Sequence, residues 1–594
     1  MKNVLLSIMT LAAMAVCCVS CEKNSTPSPP QGNYEVNGAY YKPSTGTDMT
    51  CEFTHIVKED WNSEIDPQDV TISYTVPETV EIDGKRYTVV SIGSSAFNSF
   101  YKMKSVNLPQ TITSIGDNAF PGCVSLTSID IPESVTSIGD GAFHGCSALS
   151  SIKIPANVTK FGGGVFSRCT SLESVTLSEG LASLGDGMFE GCTSLKTITL
   201  PEGLTSLGNM VFGGCTSLES ITLPASLTNM GENVFQGCTG LKSLKVSCKE
   251  IGKNAFAWME NLTELILGEG VETIGENAFS GYSKLASISF PSSLTTIGDY
   301  AFSDCKGLTS IEIPATVTNM GESVFSGCTG LKLLKVSCKE IGKNAFAGME
   351  NLTELILGEG VETIGENAFS GCSKLTSISF PSSLTTIGNY AFSECKGLTS
   401  ISFPSSLTTI GNYAFGECKS LTSIEIPASV TNMGESVFSG CTGLKSLKVS
   451  CKEIGKNAFA GMEYLTELVL GEGVETIDEN AFSSLRSLPE ITIPNSVKTI
   501  EKFAFSGCEK VKSLTIGSGV TYIGAGAFTG CSVMKDVYCY AETVPEIPTS
   551  QDSMNGPPFE WWHYENTTLH VPAASVAAYK AHKEWGQFKN IVAM

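Results

Sequence analysis

The sequence predicts a repeat solenoid with one short parallel β-strand per turn, capped at both ends. Two observations carry this. Twenty phenylalanines from Phe97 to Phe528 recur at a step of 23 residues, shortened to 21 three times, and a fixed period of that length marks a chain of supersecondary units that bury their apolar edges only against each other. Between the phenylalanines, short alternating apolar and polar stretches recur in register.

One turn shows how each part is specified. In Ser128-Ile129-Asp130-Ile131, apolar residues alternate with polar ones at the period of a half-buried strand. Pro132 ends the strand, since it cannot donate to a ladder. Val135 and Ile138 turn inward at i, i+3 spacing, Gly139 permits a tight bend, and Ala142, Phe143 and Cys146 fill the far side. About six to eight apolar groups per turn, each worth roughly 1.5–3 kcal/mol when buried, do not offset a backbone entropy cost of about 1–2 kcal/mol per residue. A single turn therefore cannot stand alone, and stacking is required.

The recurring Ser-Ile-x-Ile-Pro-x-x-Val-Thr-x-Ile-Gly-x-x-Ala-Phe-x-x-Cys resembles the BspA-like leucine-rich repeat family of bacterial surface proteins over residues 88–535. It departs from the common leucine-rich repeat in its proline after the strand and in lacking that repeat's asparagine ladder. The resemblance implies about 20 turns, an N-terminal cap over residues 34–87 with Val80–Tyr87 as a hairpin, and a C-terminal cap over residues 536–594. It also implies a function: adhesion to, or recognition of, host or neighbouring macromolecules. The alternatives are an accessory lipoprotein that binds glycan or peptide nutrients, and a passive surface spacer.

Residues 1–20 pair Lys2 with an apolar run from Val4 to Val19, too short to span a membrane and suited to a signal peptide. Val19-Ser20-Cys21 resembles the lipobox of bacterial lipoproteins, with Cys18 where that family usually has an aliphatic residue. The resemblance implies cleavage before Cys21 and acylation of its thiol. A plain secretory signal is the other reading. Residues 21–33 read as a proline-rich tether. The expected location is the bacterial outer membrane or cell surface, held by lipid. The formal charge of −22 becomes about −23 once Lys2 leaves with the leader, which argues against nucleic acid as a partner.

Fourteen of the 22 cysteines stand three residues after a repeat phenylalanine. Phe100, Met259, Tyr282, Met349, Met462 and Leu485 share that slot, so free buried thiols are expected there rather than bridges. Cys248, Cys338 and Cys451 lie in the three 21-residue turns and are expected at the inward leucine place. No spacing indicates zinc, calcium or another cofactor. The histidines are scattered and the serines form a ladder, so no enzyme is expected.

A second level of repetition is visible. Lys242–Phe256 returns nearly unchanged from Lys332 and from Lys445, a cassette of four turns with one further turn in the second copy. Recent duplication accounts for this, although tandem copies also favour a multivalent partner. If the strand alternation holds, the variable row on the sheet carries Lys245, Lys335 and Lys448 beside Glu312 and Glu425, the expected ligand-binding residues for an extracellular protein or glycan. The row ends at Tyr538. Tyr300, Tyr390 and Tyr413 are expected to be exposed at the bend before the phenylalanine. Phe559, Trp561, Trp562, His563 and Tyr564 form either the core of the C-terminal cap or a contact patch.

The anchor can be tested directly. Cys21→Ser is expected to release the protein from the membrane fraction and to abolish incorporation of labelled fatty acid; continued acylation of the variant would exclude the lipobox.

Overall fold

The computed structural model describes residues 32–45, 47–56, 72–98, 100–224, 226–547 and 556–594; Cys21 and its leader lie outside them. From Met103 onward the chain winds as a parallel β-solenoid of about 21 turns. The strand expected in each turn is present: Ser151–Lys153 pairs in register with Ser174–Thr176, Ser310–Ile313 with Leu333–Val336, and Ser423–Ile426 with Ser446–Val449. The structure adds a second ladder that the sequence reading did not include. It consists of two-residue strands at the Thr/Ser-Ile step before the bend, such as Ser114–Ile115, Ser137–Ile138 and Lys160–Phe161. Strands this short leave almost no alternation to read, so only their stacking reveals them.

The twenty repeat phenylalanines form one column. Their ring centroids are 4.7–5.8 Å apart and their planes within 15° of parallel, an offset-stacked geometry worth roughly 0.5–1.5 kcal/mol per pair beyond area burial. Both caps extend it: Phe53 stacks on Phe97 and Phe559 on Phe528.

The bend is held by backbone bonds along the solenoid axis. Asn118, Phe120 and Gly122 donate their N–H groups to the carbonyls of Asp140, Ala142 and His144 in the next turn. Left-handed residues two before and two after the phenylalanine turn the intervening amides to point along that axis. The residue two before it has φ near +50 to +63° in all twenty turns. Asn or Gly fills most of these positions, as the conformation favours. Gly139 answers a different need: a Cβ there would lie 2.3 Å from Asp117 Oδ1 in the preceding turn. That oxygen accepts the N–H of Asp140 at 2.9 Å, and the Asp140 carboxylate accepts from Gly163 at 2.7 Å. A partial Asp/Asn ladder therefore does exist, at the bend rather than at the place where common leucine-rich repeats carry asparagine.

The cysteine slot proves more specific than its volume suggests. All nineteen cysteines in the described residues are buried and unbridged. Thiols in the slot donate to the carbonyl of the preceding turn's phenylalanine, as Cys146 does to Phe120 and Cys169 to Phe143 at 3.2 Å. Tyr282 replaces cysteine and makes the same bond, its hydroxyl donating to Phe256 at 2.8 Å. Cys248, Cys338 and Cys451 occupy the inward leucine place, fully enclosed.

Each cap supplies strands. Thr79–Ile82 and Lys85–Ile92 form an antiparallel hairpin with Val80 opposite Tyr87, turning at Asp83 and Gly84, both left-handed. Thr50–Ile56 starts the second ladder by pairing in parallel with Lys85–Ile92, which passes it on to Ser114–Ile115, while Ile72–Thr75 starts the first against Met103–Asn107. At the far end Thr568–Val571 and Asn590–Ala593 add two parallel strands after Asp536–Cys539. His570 stacks on Tyr538 at 4.3 Å, so the row expected to end in an open tyrosine ends under the cap. Among the described residues no helix is long and apolar enough to cross a membrane.

Deleting Leu331–Gly443 removes five whole turns and joins Gly330 to Leu444 in register. The product is expected to stay soluble and to melt cooperatively, whereas removing 12 residues inside one turn should prevent folding. Equal stability of the two would contradict the solenoid.

Burial pushes the thiols of Cys123, Cys215, Cys248, Cys338 and Cys451 up to about 12 from an ordinary 9.0. The folded chain keeps protons that the unfolded chain sheds above pH about 9, so stability is complete below that pH and falls as pH rises toward 12, by up to about 1.4 kcal/mol per unit for each thiol. The melting temperature should drop steeply across this window, and a thiol reagent at pH 8 should modify repeat cysteines only on unfolding. Ready labelling of the native protein would refute both expectations.

Candidate functional site

The strand ladder fixes which exposed side chains become neighbours. Glu312 lies directly opposite Lys335, and Glu425 opposite Lys448. Their side chains close ion pairs at 2.6 and 2.7 Å. Lys245 instead lies between Thr222 and Ile266 and has no ion pair among the described residues. The structure thus joins four of the five expected residues into two equivalent pairs and leaves the fifth single.

Each pair sits in a concave patch. The first, of about 400 Å³, is walled by Ile288, Phe290, Ile311, Pro314 and Ile356 around Glu312 and Lys335. The second, of about 480 Å³, is walled by Ile401, Phe403, Ile424, Pro427 and Val469 around Glu425 and Lys448. The residues correspond at a constant offset of 113 positions. At about 4.7–4.9 Å per turn, five turns separate the patches by about 24 Å.

Beside each lysine the next strand exposes an aliphatic side chain: Ile266, Ile356 and Val469 are each more than 40% exposed. Sequence alternation assigned them to the outward row but gave no reason to single them out. Phe290 and Phe403, which deepen the patches, were missed because they read as inward strand residues; both are only partly buried. The first cassette has Leu200 and Thr222 at the corresponding places.

Other repeated charges are consumed between turns. Lys249, Lys339 and Lys452 pair with Glu272, Glu362 and Glu475, and Lys253, Lys343 and Lys456 with Glu276, Glu366 and Glu479. These exposed pairs, worth about 0–1 kcal/mol each, staple one cassette turn to the next and do not line the patches. At the bend edge, Tyr300 and Tyr390 are exposed as expected, whereas Tyr413, stacked on Tyr390 at 5.1 Å, is half-buried. All three are left-handed, a strained state for a bulky residue. Trp258, more than half exposed, occupies the other left-handed position, where the later cassettes have Gly348 and Gly461.

The aromatic cluster of the C-terminal cap divides. Phe559, His563 and Tyr564 are cap core, while Trp561 is exposed. His563 Nδ1 accepts the N–H of Glu560 at 3.0 Å, so Nε2 carries the proton and donates to the Cys531 carbonyl at 3.0 Å. Burial lowers the imidazole pKa and favours this neutral form.

A family model described as BspA type leucine rich repeat region, in six copies, matches residues 78–181, 164–250, 249–373, 339–461 and 452–550. The chain belongs to this family. Comparison with curated proteins gives no match. Among solved structures, the chain is similar to a leucine-rich repeat protein of Bacteroides ovatus, with 27% identity over 70% of this chain and 94% of that one at a TM-score of 0.42. The Treponema pallidum leucine-rich repeat protein is 30% identical over 35% of this chain and 90% of its own, TM-score 0.31. A leucine-rich cell surface protein of Faecalibacterium prausnitzii is 21% identical over 86% and 95%, TM-score 0.22. The BspA-type repeat is a binding scaffold rather than an enzyme family.

Proposed function

We propose that this BspA-type protein is exported, held at the bacterial surface by lipid on Cys21, and binds extracellular protein through its strand face. The observation that carries the reading is the duplicated patch: a Glu–Lys pair beside one exposed aliphatic side chain, Ile356 or Val469, and one partly buried phenylalanine, Phe290 or Phe403, present twice in the same geometry. Such a patch accepts an apolar side chain of a partner while the charge pair meets its polar backbone. A ladder-fixed surface also binds with little ordering cost. No step of catalysis and no cofactor is part of this function. Two patches about 24 Å apart suit a partner that repeats or presents two epitopes, which raises apparent affinity without new contacts.

The test is a binding isotherm against immobilised extracellular-matrix proteins. Reversing Lys245, Lys335 and Lys448 to glutamate should weaken binding about tenfold or more, with reduced salt dependence, while thermal melting changes little because exposed pairs contribute little stability. Changing Tyr300, Tyr390 and Tyr413 to serine should matter less. The five-turn deletion fuses half of each patch into one, built on Glu312 and Lys448, and should lower avidity for a multivalent surface. A larger loss from the tyrosine set would move the site to the bend edge, and failure of every matrix protein to bind would refute protein adhesion.

A further inference from the structure

The C-terminal cap satisfies its buried polar atoms with care, except in one place. Trp585 Nε1 donates to the Pro545 carbonyl at 3.0 Å, the Tyr579 hydroxyl to Ala541 at 2.8 Å, and both nitrogens of His563 are used. Trp562 Nε1, the Tyr564 hydroxyl and Glu584 Oε1, by contrast, are buried with no partner. Native folds leave few such groups, and each calls for a physical reason. These three residues line one cavity of about 420 Å³, shared with Phe559, Glu560 and Trp561. The volume lies in the range of small-molecule sites.

The chemistry of the three atoms restricts the occupant. An indole N–H needs an acceptor. Glu584 is only 1% exposed; one carboxylate oxygen accepts from Gln587 Nε2 at 2.6 Å, and the other needs a donor. Burial and the nearby Glu584 carboxylate push the Tyr564 phenol well above its usual range, so its hydroxyl keeps the proton and can both donate and accept. The ligand must therefore accept and donate within one small group. It must also carry no negative charge, since Glu560 and Glu584 line the cavity without a lysine or arginine. A simple ammonium fails because it cannot accept from the indole.

The geometry points to a neutral saccharide unit bound in this cap cavity, its vicinal hydroxyls bridging Trp562, Tyr564 and Glu584 and its apolar face against Trp561. Hydroxyls both accept and donate, and aromatic faces complement the apolar side of a sugar ring. The three polar atoms are closed from solvent, so the cavity wall must shift for a ligand to reach them, while Trp561, 71% exposed and edge-on to Trp562 at 5.7 Å, keeps a free ring face for the sugar. The site lies at the end of the solenoid, away from the strand-face patches, and is independent of them.

The experiment titrates the full chain by calorimetry and tryptophan fluorescence with neutral monosaccharides and disaccharides, and in a parallel arm with lysine and tetramethylammonium. At least one saccharide is expected to bind and neither amine. Glu584→Gln and Trp562→Phe should each weaken binding about tenfold or more, with folding checked by melting. If Glu584→Gln fails to fold, Trp561→Ala, at an exposed position, decides: loss of saccharide binding supports the site and unchanged binding overturns it. Lys335→Glu with Lys448→Glu should leave saccharide binding intact, and its loss there would place the sugar on the strand face. Binding of the amines alone, or of no probe, overturns the proposal.

Discussion

Every turn of this molecule must meet the next at one axial spacing. Two parallel ladders set it near the ordinary interstrand distance, and the phenylalanine column has to follow, with ring centroids 4.7 Å apart between Phe97 and Phe120. The rings accommodate the difference by sliding into an offset stack. All other columns inherit this constraint: bend amides bond along the axis, thiols reach the carbonyl one turn back, and charges meet only if their strands share register. The 21-residue turns keep the spacing because they shorten the connection to the second ladder and leave the strands in place, as the pairing of Lys245 with Ile266 shows.

The columns tolerate different changes for different reasons. In the thiol slot a donor is useful but not required, since the phenylalanine carbonyl already accepts its own turn's amide, as Phe235 does from Cys238. Methionine and leucine therefore enter without leaving an unsatisfied group, and tyrosine enters by restoring the bond. In the left-handed column the backbone is dictated by neighbours above and below, so a bulky residue such as Tyr390 is held in a conformation it would not choose. The slot faces outward, and the cost is strain rather than a clash. That allows exposed aromatics to accumulate along the bend edge.

Duplication copied a surface as well as a core. Charges on the cassette's bend side neutralise one another between turns and contribute little beyond holding register. On the strand side the same copying produced two concave patches, because Glu312 and Glu425 belong to the turns that precede Lys335 and Lys448. The first cassette follows a turn carrying Thr222, and its lysine is left single. What a cassette presents thus depends on the turn before it, a consequence of stacking that the repeat unit alone does not contain.

The sequence by itself determined the period, the inward residues, the hairpin Val80–Tyr87 and the burial of the cysteines, because each follows from apolar spacing or turn chemistry within one unit. It also assigned Glu312, Lys335, Glu425 and Lys448 to the outward row, since alternation is local. Whether those charges pair, how deep the patch around them is, and that Phe290 and Phe403 wall it were decided only by stacking, where side chains 20 or more residues apart become neighbours. The second ladder belongs to the same class, as two-residue strands carry no pattern of their own. The cap cavity is further still from the sequence. Trp562 and Tyr564, on the short helix Trp561–Asn566, and Glu584, just before the 3₁₀ turn Trp585–Gln587, converge beside the last stacked ring, Phe559, and the polar atoms left over are a property of that packing alone.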